Sequence, residues 1–155
     1  MPPREAMIAV ALDKARAVAR SLPPGEPAVI LGADTDVVLD GRLMGKPVDD
    51  TDAVRILTAL RGRTHEVITG LALIGTGTAA GEVTAAVTTR VTMRAYDDSE
   101  ILEYVKTGEP LDKAGAYAVQ GLGGRLVAEV DGCLSNVIGL PVSTTRQLLT
   151  RWGIG

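Results

Sequence analysis

Apolar and polar positions divide the chain into short elements of changing period. Arg4 to Leu22 is rich in alanine and other helix formers, with Pro2 and Pro3 just ahead, where proline suits a first turn. Pro23-Pro24-Gly25 stops this helix. The run Val29-Ile30-Leu31 reads as a buried strand reaching to about Ala33, followed by a hairpin through Asp40-Gly41 that returns at Gly45-Lys46-Pro47. Asp49 and Asp50 can cap a second helix, in which Val54, Leu57 and Leu60 recur at spacing three and share a face; Gly62 ends it. Val67 to Ile74 and Val83 to Met93 read as the arms of an antiparallel hairpin. Asp97-Asp98-Ser99-Glu100 resembles a capping box and opens a helix to Lys106, with Gly108 beyond it. Leu126 to Val130 and Asn136 to Ile138 read as strands, and Val142 to Trp152 as a closing helix. The fold class expected is α/β: one domain, residues 1–155, with a mixed β-sheet and flanking helices, because hairpins interleave with helices.

Composition narrows the function classes. With 155 residues, one domain is the default. Phe is absent and aromatics reach only 3%, so Val, Leu, Ile and Ala must build the core. A net charge of -3 argues against broad nucleic-acid binding but leaves room for an anionic small molecule held by a few lysines. Cys133 is the only cysteine, which rules out an internal disulfide, suits a reducing compartment and reads as a buried inert thiol. No apolar run is long enough for a membrane span, and the start lacks signal-peptide architecture, so the expected location is cytoplasmic. His65, the single histidine, cannot build a His-rich metal site and reads as structural; Trp152 reads as a packing anchor.

Two clusters carry candidate chemistry. In the first, Asp34 ends a strand and Lys46 lies on the returning limb of the hairpin, so a carboxylate and an ammonium are expected close together among flanking glycines. Such a pair suits a charged ligand, although Asp34 alone also suits a strand-end turn or cap and Lys46 a loop. Asp36 reads as a solvated strand residue or a spare metal ligand. The second cluster runs from Asp112 to Gly124, where Gln120 offers a donor and an acceptor suited to the edge of a base. The Gly-rich stretch after it matches no dinucleotide or Walker A pattern and by itself reads as a turn.

LDKARAVA (Leu12 to Ala19), GADTDVVLDGRLMGKP (Gly32 to Pro47), LRGRTHEVITGLAL (Leu60 to Leu73), GEPLDKAGAYAVQGLGG (Gly108 to Gly124) and SNVIGLP (Ser135 to Pro141) together resemble the Maf family of nucleoside triphosphate pyrophosphatases. The resemblance implies an elongated α/β fold with a central cleft, related to the inosine-triphosphate pyrophosphatases. It also implies cleavage between the α and β phosphates of a nucleotide, on the branch acting on dTTP and UTP. Carried over by position, Asp34 becomes the catalytic base and metal contact, Lys14 and Lys46 hold phosphates, Thr35 and Gln120 select the substrate, and Lys113 is a weaker candidate for ligand contact. The implied cofactor is Mg²⁺ or Mn²⁺, and the implied assembly is a homodimer. Family members open with a strand, a loop ending in Pro-Arg-Arg, a helix and a second strand, whereas this sequence starts near the Lys14 helix and contains no Ser-Pro-Arg-Arg. On that reading the chain is N-terminally truncated relative to the family and has a bare sheet edge. A catalytically impaired, nucleotide-binding or regulatory protein of cell division therefore stands as the alternative.

Overall fold

The structure is a computed structural model that describes residues 1–154. Helix α1 (Pro3–Ser21) opens with proline in its first turn and is followed by the long strand β1 (Ala28–Leu39), the short β2 (Arg42–Leu43) and α2 (Asp50–Leu60). Strands β3 (Thr64–Thr76) and β4 (Gly81–Met93) form the hairpin, and α3 (Asp98–Lys106) follows. After several short 3₁₀ turns come β5 (Val127–Asp131), α4 (Leu134–Ile138) and α5 (Val142–Leu149). Both expected aspartate caps form: the Asp49 carboxylate accepts from the Asp52 amide at 2.7 Å, and that of Asp97 from the Glu100 amide at 2.8 Å.

The α/β class with flanking helices stands, but the sheet is not mixed. Its order is β2-β1-β3-β4-β5, and each described pairing is antiparallel. Even β1 and β3, separated by β2 and α2, run in opposite directions, so no parallel crossover is needed. Two further boundaries differ from expectation. Asn136 to Ile138 belongs to the helical turn α4 and not to a strand. Strand β1 continues six residues past Ala33, which puts Asp34 inside the strand instead of at its end. Its register with β3, including Asp34 opposite Gly70 and Thr35 opposite Thr69, carries the polar residues through.

Side chains alternate along β1, so Gly32, Asp34, Asp36 and Val38 share one face. Helix α1 lies on that face, where Ala11 and Ala15 pack with Ile30 and Ala72, and Met7 packs with Val38 and Ile68. The approach is close enough that a β-carbon at Gly32 would overlap the Ala11 carbonyl, and one at Gly70 would overlap the Met7 backbone. On the opposite face, Val37 and Leu39 join the main core with Ile56, Leu57 and Leu60 of α2 and Tyr96 and Ile101 around α3. Strand β2 pairs with β1 only at Val38 and Leu39. Among the described residues, β1 from Ala28 to Asp36 therefore has an open edge on the side away from β3.

Candidate active site

On the α1 face, the Lys14 ammonium sits 2.8 Å from one Asp34 carboxylate oxygen and also donates to the Ala33 carbonyl at 3.2 Å. The Asp34 side chain is 30% exposed and that of Lys14 54%. Such a solvated pair contributes at most about 1 kcal/mol to stability. Its chemical value lies in holding a carboxylate and an ammonium side by side, within reach of a ligand. The close helix-to-sheet packing beneath the pair sets this geometry.

Two residues farther along the same face, Asp36 is buried, contrary to the expectation of a solvated side chain. Its carboxylate accepts from the Val37 amide at 2.7 Å and the Gly45 amide at 3.0 Å. Burial raises its pKa; the two backbone amides oppose the rise, and the neighbouring Asp34 charge adds to it. The bond to Gly45 ties the returning limb of the hairpin, and with it Lys46, to β1.

The other face of β1 borders an open cleft of about 810 Å³. Thr35, Lys46, Lys113, Tyr117 and Gln120 line it, together with Val137 to Gly139. Here loops are fixed by single polar side chains. The Thr35 hydroxyl is 2.7 Å from that of Thr69, its cross-strand partner, and donates to the Gly139 carbonyl at 3.2 Å. The fully buried Asn136 amide donates to the carbonyls of Val67 and Val87 and to the Thr89 hydroxyl, each at about 3 Å. This clamps the α4 turn onto β3 and β4. His65 is structural, as expected: its Nε2 lies 2.8 Å from the Tyr117 hydroxyl. Burial lowers the His65 pKa to about 4, so the ring is neutral near pH 7. Burial likewise pushes the Tyr117 hydroxyl up, leaving it protonated.

The residues singled out in the sequence thus fall into two groups. Thr35, Lys46 and Gln120 meet at the cleft, with Lys113 beside them, while Lys14 and Asp34 meet on the opposite face of the same strand. Asp34, expected close to Lys46, is ion-paired with Lys14, because α1 lies directly over Asp34. Adjacent residues Asp34 and Thr35 join the groups at the open edge of β1. Thr69, Asn136 and Glu109 also shape this region without standing out in the sequence. Their contacts span long stretches of chain, and the only local hint is their place within the quoted segments. Outside the site, Trp152 donates to the Ala79 carbonyl at 2.6 Å, consistent with an anchor. Cys133 is only partly buried, and its thiol, 3.0 Å from the Ser135 hydroxyl, has a lowered pKa chiefly through that contact.

Among the described residues, no group of three or more His, Cys, Asp and Glu side chains converges to cage a metal. The hard oxygen donors here reduce to the Asp34 carboxylate, since Asp36 is buried with its own carboxylate held by the Val37 and Gly45 amides. That small set suits an ion that keeps its waters and shares phosphate oxygens, as Mg²⁺ does. No described helix is long and apolar enough to cross a membrane.

A family profile described as Maf-like protein matches residues 1–152. The dTTP/UTP pyrophosphatase of Anaeromyxobacter dehalogenans strain 2CP-C is 53% identical over 153 residues, covering 98% of this chain and 75% of the relative. Proteins of the same name from Desulfitobacterium hafniense and Myxococcus xanthus are 49% and 52% identical, covering 99% and 94% of this chain and 69% and 70% of their own lengths.

Proposed function

The chain belongs to the Maf family, and from that premise we propose that it is a nucleoside triphosphate pyrophosphatase. In this reading it hydrolyses the α–β phosphoanhydride bond of dTTP or UTP to a nucleoside monophosphate and pyrophosphate. The observation that carries the reading is that adjacent residues of β1, Asp34 and Thr35, bring the Lys14–Asp34 pair and the cleft lined by Lys46, Thr35 and Gln120 together at one open strand edge. A nucleotide lying across that edge directs its base toward Gln120 and Thr35 in the cleft and its phosphates toward Lys46, Lys14 and Asp34.

Each group has a task suited to its chemistry. Asp34, exposed enough to meet water, accepts the proton of the attacking water. Lys14 holds that carboxylate in place and, with Lys46, offsets the charge of the triphosphate and of the leaving pyrophosphate. The Gln120 amide presents one donor and one acceptor to the base edge. The Thr35 hydroxyl, engaged by Thr69 and Gly139, fixes the cleft wall beside the base. A Mg²⁺ ion held by Asp34 and phosphate oxygens would supply further neutralisation of phosphate charge. A cytoplasmic location and a homodimer belong to the same proposal.

The test is pyrophosphate release by the purified chain over a panel of nucleoside triphosphates, with Mg²⁺, with Mn²⁺ and with a chelator. The expected result is release of pyrophosphate and monophosphate in equal amounts, fastest for dTTP and UTP and lost on chelation. Nucleotide binding without release from any member of the panel would support the non-catalytic alternative and overturn the enzymatic reading.

A further inference from the structure

Glu109 is an acidic side chain lining a cleft assigned to an anionic ligand. A free carboxylate there would repel phosphate, but this one is occupied. One of its oxygens accepts from the Leu122 amide at 3.1 Å and the other from the Gly123 amide at 3.0 Å. Two consecutive backbone donors thus meet the two oxygens of one carboxylate, a charge-assisted arrangement stronger than neutral pairs. The sequence is built to admit it: a β-carbon at Gly121 would overlap the Glu109 carboxylate, and one at Gly123 would press on the Tyr104 hydroxyl. Tyr104, at the end of α3, secures the other side of the same loop by accepting from the Ala118 amide at 3.2 Å. Its hydroxyl is raised in pKa, first by burial and then by Glu109, and keeps its proton. The two clamps close on Ala118 and on Leu122-Gly123, and Gln120 lies between them on the cleft wall.

We propose that Glu109 is a positioning residue for base recognition: by clamping the Leu122 and Gly123 amides it holds Gln120 at the cleft, and so sets nucleotide affinity and base choice. This rests on the function proposed above. Glu109 acts through the loop and not on the phosphates, so its loss affects binding and selectivity more than the chemical step.

The variants are Glu109→Gln, which turns one acceptor into a donor facing an amide, and Gly121→Ala, which displaces the same carboxylate from the other side. Each is assayed for turnover of dTTP and dCTP and, by calorimetry, for binding of a non-hydrolysable dTTP analogue. For Glu109→Gln, KM and Kd for the dTTP series should rise about tenfold, as expected for a lost charge-assisted contact. The dTTP-over-dCTP preference should shrink, while kcat stays within about twofold. The double variant should be no worse than the poorer single one, because both changes break one contact. Unchanged affinity and preference in folded Glu109→Gln, or a fall in kcat with preference intact, would overturn the proposal. Should Glu109→Gln not fold, Gly121→Ala is measured in the same way, and the same outcomes support or overturn the proposal. Absence of both turnover and analogue binding in the unsubstituted chain would instead overturn the pyrophosphatase reading, and this inference with it.

Discussion

The two faces of β1 hold their functional groups by different means. On one, α1 rests on the sheet through Gly32 and Gly70, and the Lys14–Asp34 pair inherits its position from backbone packing. On the other, the wall around Thr35 and Gln120 consists of turns pinned by individual side chains: Asn136 on β3 and β4, Glu109 on Leu122 and Gly123, and Tyr117 on His65. A helix packed on a sheet places a reacting group rigidly. Pinned loops can be retuned one contact at a time, which suits a surface that selects among bases. On the function proposed above, the chemical step belongs to the first face and selectivity to the second.

The sharpest break of that contrast is Asp34→Asn. Losing a general base should cut kcat by about 10²–10⁴-fold, while binding of a non-hydrolysable dTTP analogue stays near normal; turnover and calorimetry on the same preparation check both halves. Acid should loosen the cleft face before the helix face. His65 titrates near 6.5 when unfolded and near 4 when folded, so its stabilising contribution is complete above pH 6.5 and is lost as the pH falls toward 4. The loss amounts to about 3 kcal/mol and should be absent in His65→Gln, as read by denaturant unfolding over that range. Gly70→Ala attacks the helix face by forcing a methyl against the Met7 backbone. It should cost about 2 kcal/mol in unfolding free energy and lower kcat more than it changes base preference. The smallest effect belongs to Gln120→Ala: KM for dTTP should rise about tenfold with kcat little altered, the loss of a hydrogen-bonding side chain at the base.

Much of this architecture was legible in the chain because its signals are local. The α1 helix, the Asp49 and Asp97 caps and the β3–β4 hairpin each follow from neighbours a few residues apart. The extent of β1 was not, because Asp34-Thr35-Asp36 looks like a strand end and is carried through only by pairing with Gly70, Thr69 and Ile68 some thirty residues later. The partner of Asp34 was not legible for a related reason: Lys14 reaches it from α1, twenty residues upstream, while the hairpin limb carrying Lys46 returns to Asp36 through the Gly45 amide. The Asn136 turn read as a strand because five residues carry too little periodicity, and its anchors lie on β3 and β4, roughly seventy and fifty positions away. Local pattern picked out Lys46 and Gln120, and resemblance to a family added Lys14 and Thr35. Only the folded structure separates them by face.

The most direct test of the central claim, that a nucleotide lies across the open edge of β1, is a crystal structure of the chain with a non-hydrolysable dTTP analogue and Mg²⁺. The account predicts the base against Gln120 and Thr35 and the triphosphate beside Asp34, Lys14 and Lys46. Phosphates seated against Lys113, with Asp34 and Lys14 untouched, would contradict it.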